Sequence, residues 1–198
     1  MNIKAQHICC VFNDVKSMKK ILKLYLNLVD SINGAVGAIC AVLTIFMVLT
    51  VFVVVALRYG FSFGRIWMQE LYVWTHAFVF LAAAGYTLRD DGHVRIDLIY
   101  GKRSSKTKAI INLIGSFVFA IPFLYFLWKW SLPIVMRSVQ NLERSSEAGG
   151  LQGLFILKGA ILVFAITLAL QVSALIIRCL LTLFTDEDYF LKTKGETA

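Results

Sequence analysis

Charge is thin in this 198-residue sequence: aspartate, glutamate, lysine and arginine make up only 16% of it. That is too little to cover the surface of a water-soluble domain of such length. Proline is scarcer still, at Pro122 and Pro133 alone, so long stretches carry no helix breaker. Ten-residue segments of alternating polarity, the mark of a membrane β-barrel, are absent. The cysteines form no framework: Cys9 and Cys10 are adjacent, while Cys40 and Cys179 lie inside apolar blocks and read as small core residues. No Ser/His/Asp array, catalytic carboxylate pair, phosphate-cradling glycine loop or Cys-x-x-Cys can be assembled, which excludes the common enzyme chemistries. Histidine is limited to His7, His76 and His93. Only His76 falls within an apolar block, among Trp74, Phe78 and Phe80, where a hydrogen-bonded packing role outweighs metal binding. The spacing of His7, Cys9 and Cys10 is weak for chelation. No cofactor and no metal site is expected.

What the chain does have is apolar length. It is 59% hydrophobic with a mean hydropathy of +0.74, and the apolar residues fall in blocks of bilayer-spanning size. In lipid every backbone polar group must be satisfied within the segment, so these blocks read as helices. The expected fold is an all-α integral membrane protein with spans at about 31–57, 67–88, 108–132 and 154–183, within a transmembrane domain at 18–185. Trp67, Tyr72 and Trp74 at the start of the second span, and Trp128 and Trp130 at the exit of the third, suit the headgroup level. Residues 18–29 alternate Lys19, Lys20, Lys23 and Asn27 with Ile21, Leu22, Tyr25, Leu28 and Val29, which predicts a short amphipathic helix in the interface before the first span. Residues 1–17 carry no pattern and read as an N-terminal extension, disordered or ahead of a true start at Met18. Residues 186–198 read as a polar cytoplasmic tail.

The net charge of +8 does not indicate nucleic acid, because the basic residues cluster at the ends of apolar blocks and form no stripe with interleaved aromatics. Lys4, Lys16, Lys19, Lys20 and Lys23 precede the first span. Arg89, Arg95, Lys102, Arg103, Lys106 and Lys108 separate the second and third, and Arg178, Lys192 and Lys194 close the chain. The other side holds fewer, which places both termini in the cytoplasm and the first and third loops outside.

Intramembrane charge usually marks a transport path because burying it is costly. Here Glu70, Lys129 and Lys158 all lie close enough to an interface to snorkel, and no Gly/Pro-interrupted span builds a substrate site. These absences favour a subunit that assists a transporter over one that carries solute alone.

Several short motifs stand at the membrane borders. Arg58-Tyr59 ends the first span, and Trp67-x-x-Glu70 opens the second. Arg89, His93 and Asp97 follow the second span, within the stretch Arg89-Asp90-Asp91-Gly92-His93-Val94-Arg95-Ile96-Asp97-Leu98. Ser146-Glu147-Ala148-Gly149-Gly150-Leu151 and then Lys158 lead into the fourth. In this order they resemble the small membrane subunit, the Q component, of tripartite ATP-independent periplasmic (TRAP) transporters, over roughly residues 18–183.

The resemblance implies a large M-type membrane subunit that carries substrate and coupling ions, usually sodium. It also implies a P-type periplasmic binding protein that delivers the substrate, typically an organic acid, at the bacterial inner membrane. The small subunit would then be a stator in the bilayer that enlarges and anchors the static scaffold. Arg58, Tyr59, Trp67, Glu70, Arg89, His93 and Asp97 become structural or partner-contact candidates, with Glu70 paired to Arg58 or Arg65 and with His93 and Asp97 holding the cytoplasmic turn. Glu143, Arg144 and Glu147 become candidates for docking the binding protein. Gly34 with Ala38, and Ser116 with Ala120, offer small surfaces for helix packing. The competing readings are a self-sufficient homo-oligomeric transporter or channel, and a membrane anchor for a redox enzyme.

Overall fold

The computed structural model describes residues 3–90 and 104–185. α1 runs Ile3–Gly60, α2 Ile66–Arg89 and α4 Leu154–Thr185. α3, Ser105–Gln140, is α-helical apart from one wider π turn at Ser116–Ala120. Four helices among the described residues are long and apolar enough to cross a membrane, and each expected span lies within one of them.

One expectation about the start of the chain needs correction. α1 takes in residues 3–17. No glycine or proline interrupts the chain before Gly34, and extending a formed helix costs far less than nucleating one. Residues 18–29 do not form a separate interfacial helix. They run straight into the first span, and Leu22, Tyr25, Leu26 and Val29 pack on Leu170, Ala174, Ile177 and Leu181 of α4. The i, i+3, i+4, i+7 spacing puts these four side chains on one face, and α4 answers with a stripe of its own. The amphipathic pattern was real, but Leu22, Tyr25 and Val29 of it pack on α4, while Ile21 and Leu28 stay exposed.

Local chemistry sets the helix ends. After Gly60 the amides of Phe61 and Phe63 both donate to the Leu57 carbonyl, at 3.1 and 3.0 Å, and Ser62 takes a left-handed φ of 53°. Ser104 caps α3 by accepting from the Thr107 amide. The π turn lies just before Pro122, which has no N–H and whose ring crowds the carbonyl four residues back. Ile121 N–H reaches the Ser116 carbonyl, five residues back. In lipid a hydroxyl also needs a partner. Thr44, Thr50, Thr75, Thr87, Ser116, Thr167 and Thr182 each donate to the carbonyl four residues earlier.

α4 is the central helix and touches each of the other three, while α2 packs between α1 and α4. The tightest approach is at Gly85. A Cβ there would lie 2.3 Å from Asn33 Oδ1 of α1 and 2.9 Å from the Thr167 carbonyl oxygen of α4. Only a residue with no side chain lets these three helices meet.

Candidate functional site

Three of the buried polar side chains, Asn33, Gln171 and Arg178, gather at the end where Asp30 and Arg89 meet them. Asp30 precedes the charge-free part of α1. Its carboxylate accepts from the Arg178 guanidinium of α4 and, at 3.5 Å, from Gln171 Nε2. Gln171 Oε1 accepts from Asn33 Nδ2 at 2.9 Å, and the same Nδ2 reaches the Val29 carbonyl at 3.3 Å. Asn33 and Gln171 are 0% and 1% exposed, so these bonds form where water does not compete. The order of donors follows from the charge. Gln171 must turn its NH2 toward the anion, which leaves its oxygen for Asn33. Asn33 Oδ1 then has no hydrogen-bond partner and lies against Gly85, where a Cα–H contact can form.

Arg89 joins this clasp from α2. Its Nη1 donates to the Asp30 carbonyl at 3.0 Å and its Nε to Asp90 at 2.8 Å, while its guanidinium carbon sits 4.8 Å from the Tyr86 ring centroid. A Cβ on Gly34 would come within 2.5 Å of Arg89 Nη1. Gly34 is therefore small to admit a side chain of α2, and Ala38, its expected companion, is exposed. Of the other small pair, Ser116 is buried and Ala120 half-buried. Burial pushes the Asp90 carboxyl up, but hydrogen bonds from Arg89 and Tyr86 outweigh it and leave the group below the ordinary carboxylate range.

At the other end Glu70 fastens the loop between α3 and α4. Its carboxylate accepts from the Ser145 hydroxyl and, at 2.5 Å, from the Leu151 amide. It does not pair with Arg58 or Arg65, as the sequence suggested. Glu70 is five residues beyond Arg65, which turns it about 140° around the helix, toward the loop. Arg65 instead lies over the Phe63 ring, 5.5 Å from its centroid, and Arg58 and Tyr59 are exposed. The loop is a small hairpin. Arg144 and Gln152 form an antiparallel bridge, and the Ser145 amide donates to Leu151 at 3.1 Å. A second staple joins Lys158 Nζ to Glu143 at 2.5 Å. The Lys158 ammonium holds the Glu143 carboxyl below its usual range.

Of the candidate residues, the structure brings Arg89 into the clasp, and Glu70 and Glu143 into the staples. Arg144 and Glu147 are exposed, as is Trp67. His93 and Asp97 lie outside the described residues. His76 is exposed beside Phe80, with ring centroids 6.4 Å apart. Sequence reasoning missed Asp30, Asn33, Gln171 and Ser145 as bonding residues and took Arg178 only as an orienting charge. The available signal was one amide in each of two otherwise apolar blocks, Asn33 and Gln171.

Such an arrangement ties helices together, and apart from Asn33 Oδ1 its polar groups are spent on one another. The family described as "Tripartite ATP-independent periplasmic transporters, DctQ component" matches residues 47–183, more than half of the chain. The chain belongs to this family. It is thus the small membrane subunit of a TRAP transporter, a multi-pass membrane protein and not an enzyme. No curated protein and no solved structure matches the chain. In this DctQ subunit the match takes in Glu70, Arg89, Gln171 and Arg178, while Asp30 and Asn33 precede it.

Proposed function

We propose that this DctQ subunit is the stator of its transporter in the bacterial inner membrane, with both termini cytoplasmic. It anchors the large M-type subunit and helps dock the P-type periplasmic binding protein during sodium-coupled uptake of an organic acid. The observation that carries this reading is the direction of its buried polarity. Asp30, Asn33, Gln171 and Arg178 bond across α1 and α4, while large apolar side chains such as Ile45, Phe52, Phe80 and Phe119 face outward. A pore or carrier needs polar groups left free for solute; a scaffold needs them spent on rigidity. The loop at the Glu70 end supports the docking role, since staples on both sides hold Arg144 and Glu147 exposed on a braced hairpin. Glu143, bonded to Lys158, braces that hairpin.

Affinity purification of the chain from native membranes in mild detergent tests the reading, with co-eluting proteins identified by mass. A much larger polytopic protein recovered in constant proportion is expected. A stable homo-oligomer of this chain alone would overturn the proposal in favour of a self-sufficient transporter.

A further inference from the structure

Glu70 and Arg89, near the two ends of α2, are about 28 Å apart along the helix at roughly 1.5 Å per residue. That is one hydrocarbon core of about 30 Å, so the clasp marks one border of the bilayer and the hairpin the other. Along α4 the same layer runs from Leu154, where the hairpin ends, to Ser173, which bonds to Tyr25 beside the clasp. Ala165 and Ala169 lie between these limits, and they line one groove with Tyr125 and Trp128 of α3. Lys129, the next residue, is therefore near the middle of the layer. Arg137, in the last turn of α3, is about 12 Å further on, beyond the stretch of a lysine side chain. The snorkelling expected from the sequence is thus out of reach.

The Lys129 side chain faces outward. Pro122, Tyr125, Phe126, Lys129, Pro133 and Met136 recur at helical spacing along one face of α3, and all six are exposed. The ammonium lies 5.8 Å from the Tyr125 ring centroid, and among the described residues no carboxylate pairs with it. Pro133 adds a second unmet group, because it has no N–H to offer the Lys129 carbonyl four residues earlier. A charge and a bare carbonyl at this depth are costly against lipid, and phospholipid phosphates stay at the borders. A second copy brings no remedy, whichever way it crosses. Of the described carboxylates, Asp30 and Asp90 stand at the clasp border, and Glu70, Glu143 and Glu147 at the hairpin border.

We propose that this face of α3 is the seam with the large subunit, one of whose membrane helices sets an aspartate or glutamate against Lys129. Such a seam rests on the stator reading above and gives it a place and a chemistry. Covering the face takes the lysine out of lipid, and the carboxylate balances its charge. Polar contacts and close packing, not apolar burial, join helices within a membrane.

The test uses the full chain, tagged, with its large subunit in mild detergent. A photo-crosslinking phenylalanine analogue replaces Phe126 on the seam, or Phe80, which is 72% exposed on α2 at similar depth. Crosslinks to the large subunit are expected from position 126 and not from 80, on a peptide that contains aspartate or glutamate. Lys129→Met should lower recovery of the large subunit about tenfold, with the unfolding midpoint of the purified chain unchanged, and Lys129→Arg should retain recovery. Crosslinks from position 80 alone, or full recovery with Lys129→Met, would overturn the seam and leave the stator reading standing. The crosslinks are read with Lys129 in place, so they decide even where Lys129→Met fails to fold. Absence of the large subunit from purifications of the unaltered chain would overturn the stator reading, and the seam with it.

Discussion

Asp30 is the residue on which the clasp turns, because it balances Arg178, which is only 7% exposed. Asp30→Asn removes that balance and leaves a buried cation without its anion, a change that costs about 3–5 kcal/mol where water cannot reach. A clear fall in the detergent unfolding midpoint is expected. Adding Arg178→Met should recover much of it, since the unpaired charge disappears. A double variant no more stable than Asp30→Asn would show that the pair does not hold the helices. Glu70→Gln should act differently. One amide oxygen can keep one donor, but the NH2 then faces the other, so about 1–3 kcal/mol of local bonding is at stake. Faster proteolysis within 141–153, with the unfolding midpoint little changed, is the expected result. Glu143 adds a pH dependence. Its folded-state carboxyl titrates below the ordinary value, so the bond to Lys158 contributes fully above the unfolded-state pKa and is lost as pH falls through the folded one. A fluorophore on Arg144→Cys, in a Cys9→Ser, Cys10→Ser background, should lose anisotropy below about pH 4. Lys158→Met should remove that acid step.

Among the elements, α2 is the shortest span, held between α1 and α4. Gly85 sets its distance from both neighbours, since the atoms a Cβ would meet include the backbone of α4 at Thr167. Backbone cannot swing aside as a side chain can. Gly85→Ala should therefore cost about 1–3 kcal/mol by overpacking and push α2 outward, read as a lower unfolding midpoint. An unchanged midpoint would mean that the helices slide without strain. In α3 the π turn at Ser116–Ala120 and the two prolines interrupt regular α-helical bonding. α1 is the longest span: its 43 residues from Met18 to Gly60 rise about 64 Å at roughly 1.5 Å per residue, twice the hydrocarbon thickness of about 30 Å. Its lysine-bearing first turns leave the core, which is why they can pack beside the end of α4.

For the whole molecule, the proposed orientation puts both ends of the chain on one side, the side that the distribution of lysines and arginines favours. Impermeant maleimide applied to intact cells with a permeabilised outer membrane should label Arg144→Cys, but not a cysteine added after Ala198, in a background free of Cys9 and Cys10. Labelling of the terminal cysteine would reverse the orientation proposed above. Such a body, rigid inside and apolar outside, suits a stator that a moving partner can push against.

The four apolar spans and their helical nature were legible in the sequence because lipid imposes length, apolarity and internal hydrogen bonding on any segment that crosses it. The family, too, was legible from short motifs at the membrane borders. Which residues bond was not. Arg58, Arg65 and Glu70 are near one another in the chain, yet Glu70 turns to Ser145 and Leu151, because helix rotation, not sequence distance, sets direction. Asp30, Asn33, Gln171 and Arg178 come from opposite ends of the chain and meet only when α1 and α4 pack antiparallel. Composition decides that a segment enters the bilayer, whereas the pairing of its few polar groups depends on helix rotation and depth, which tertiary packing alone supplies.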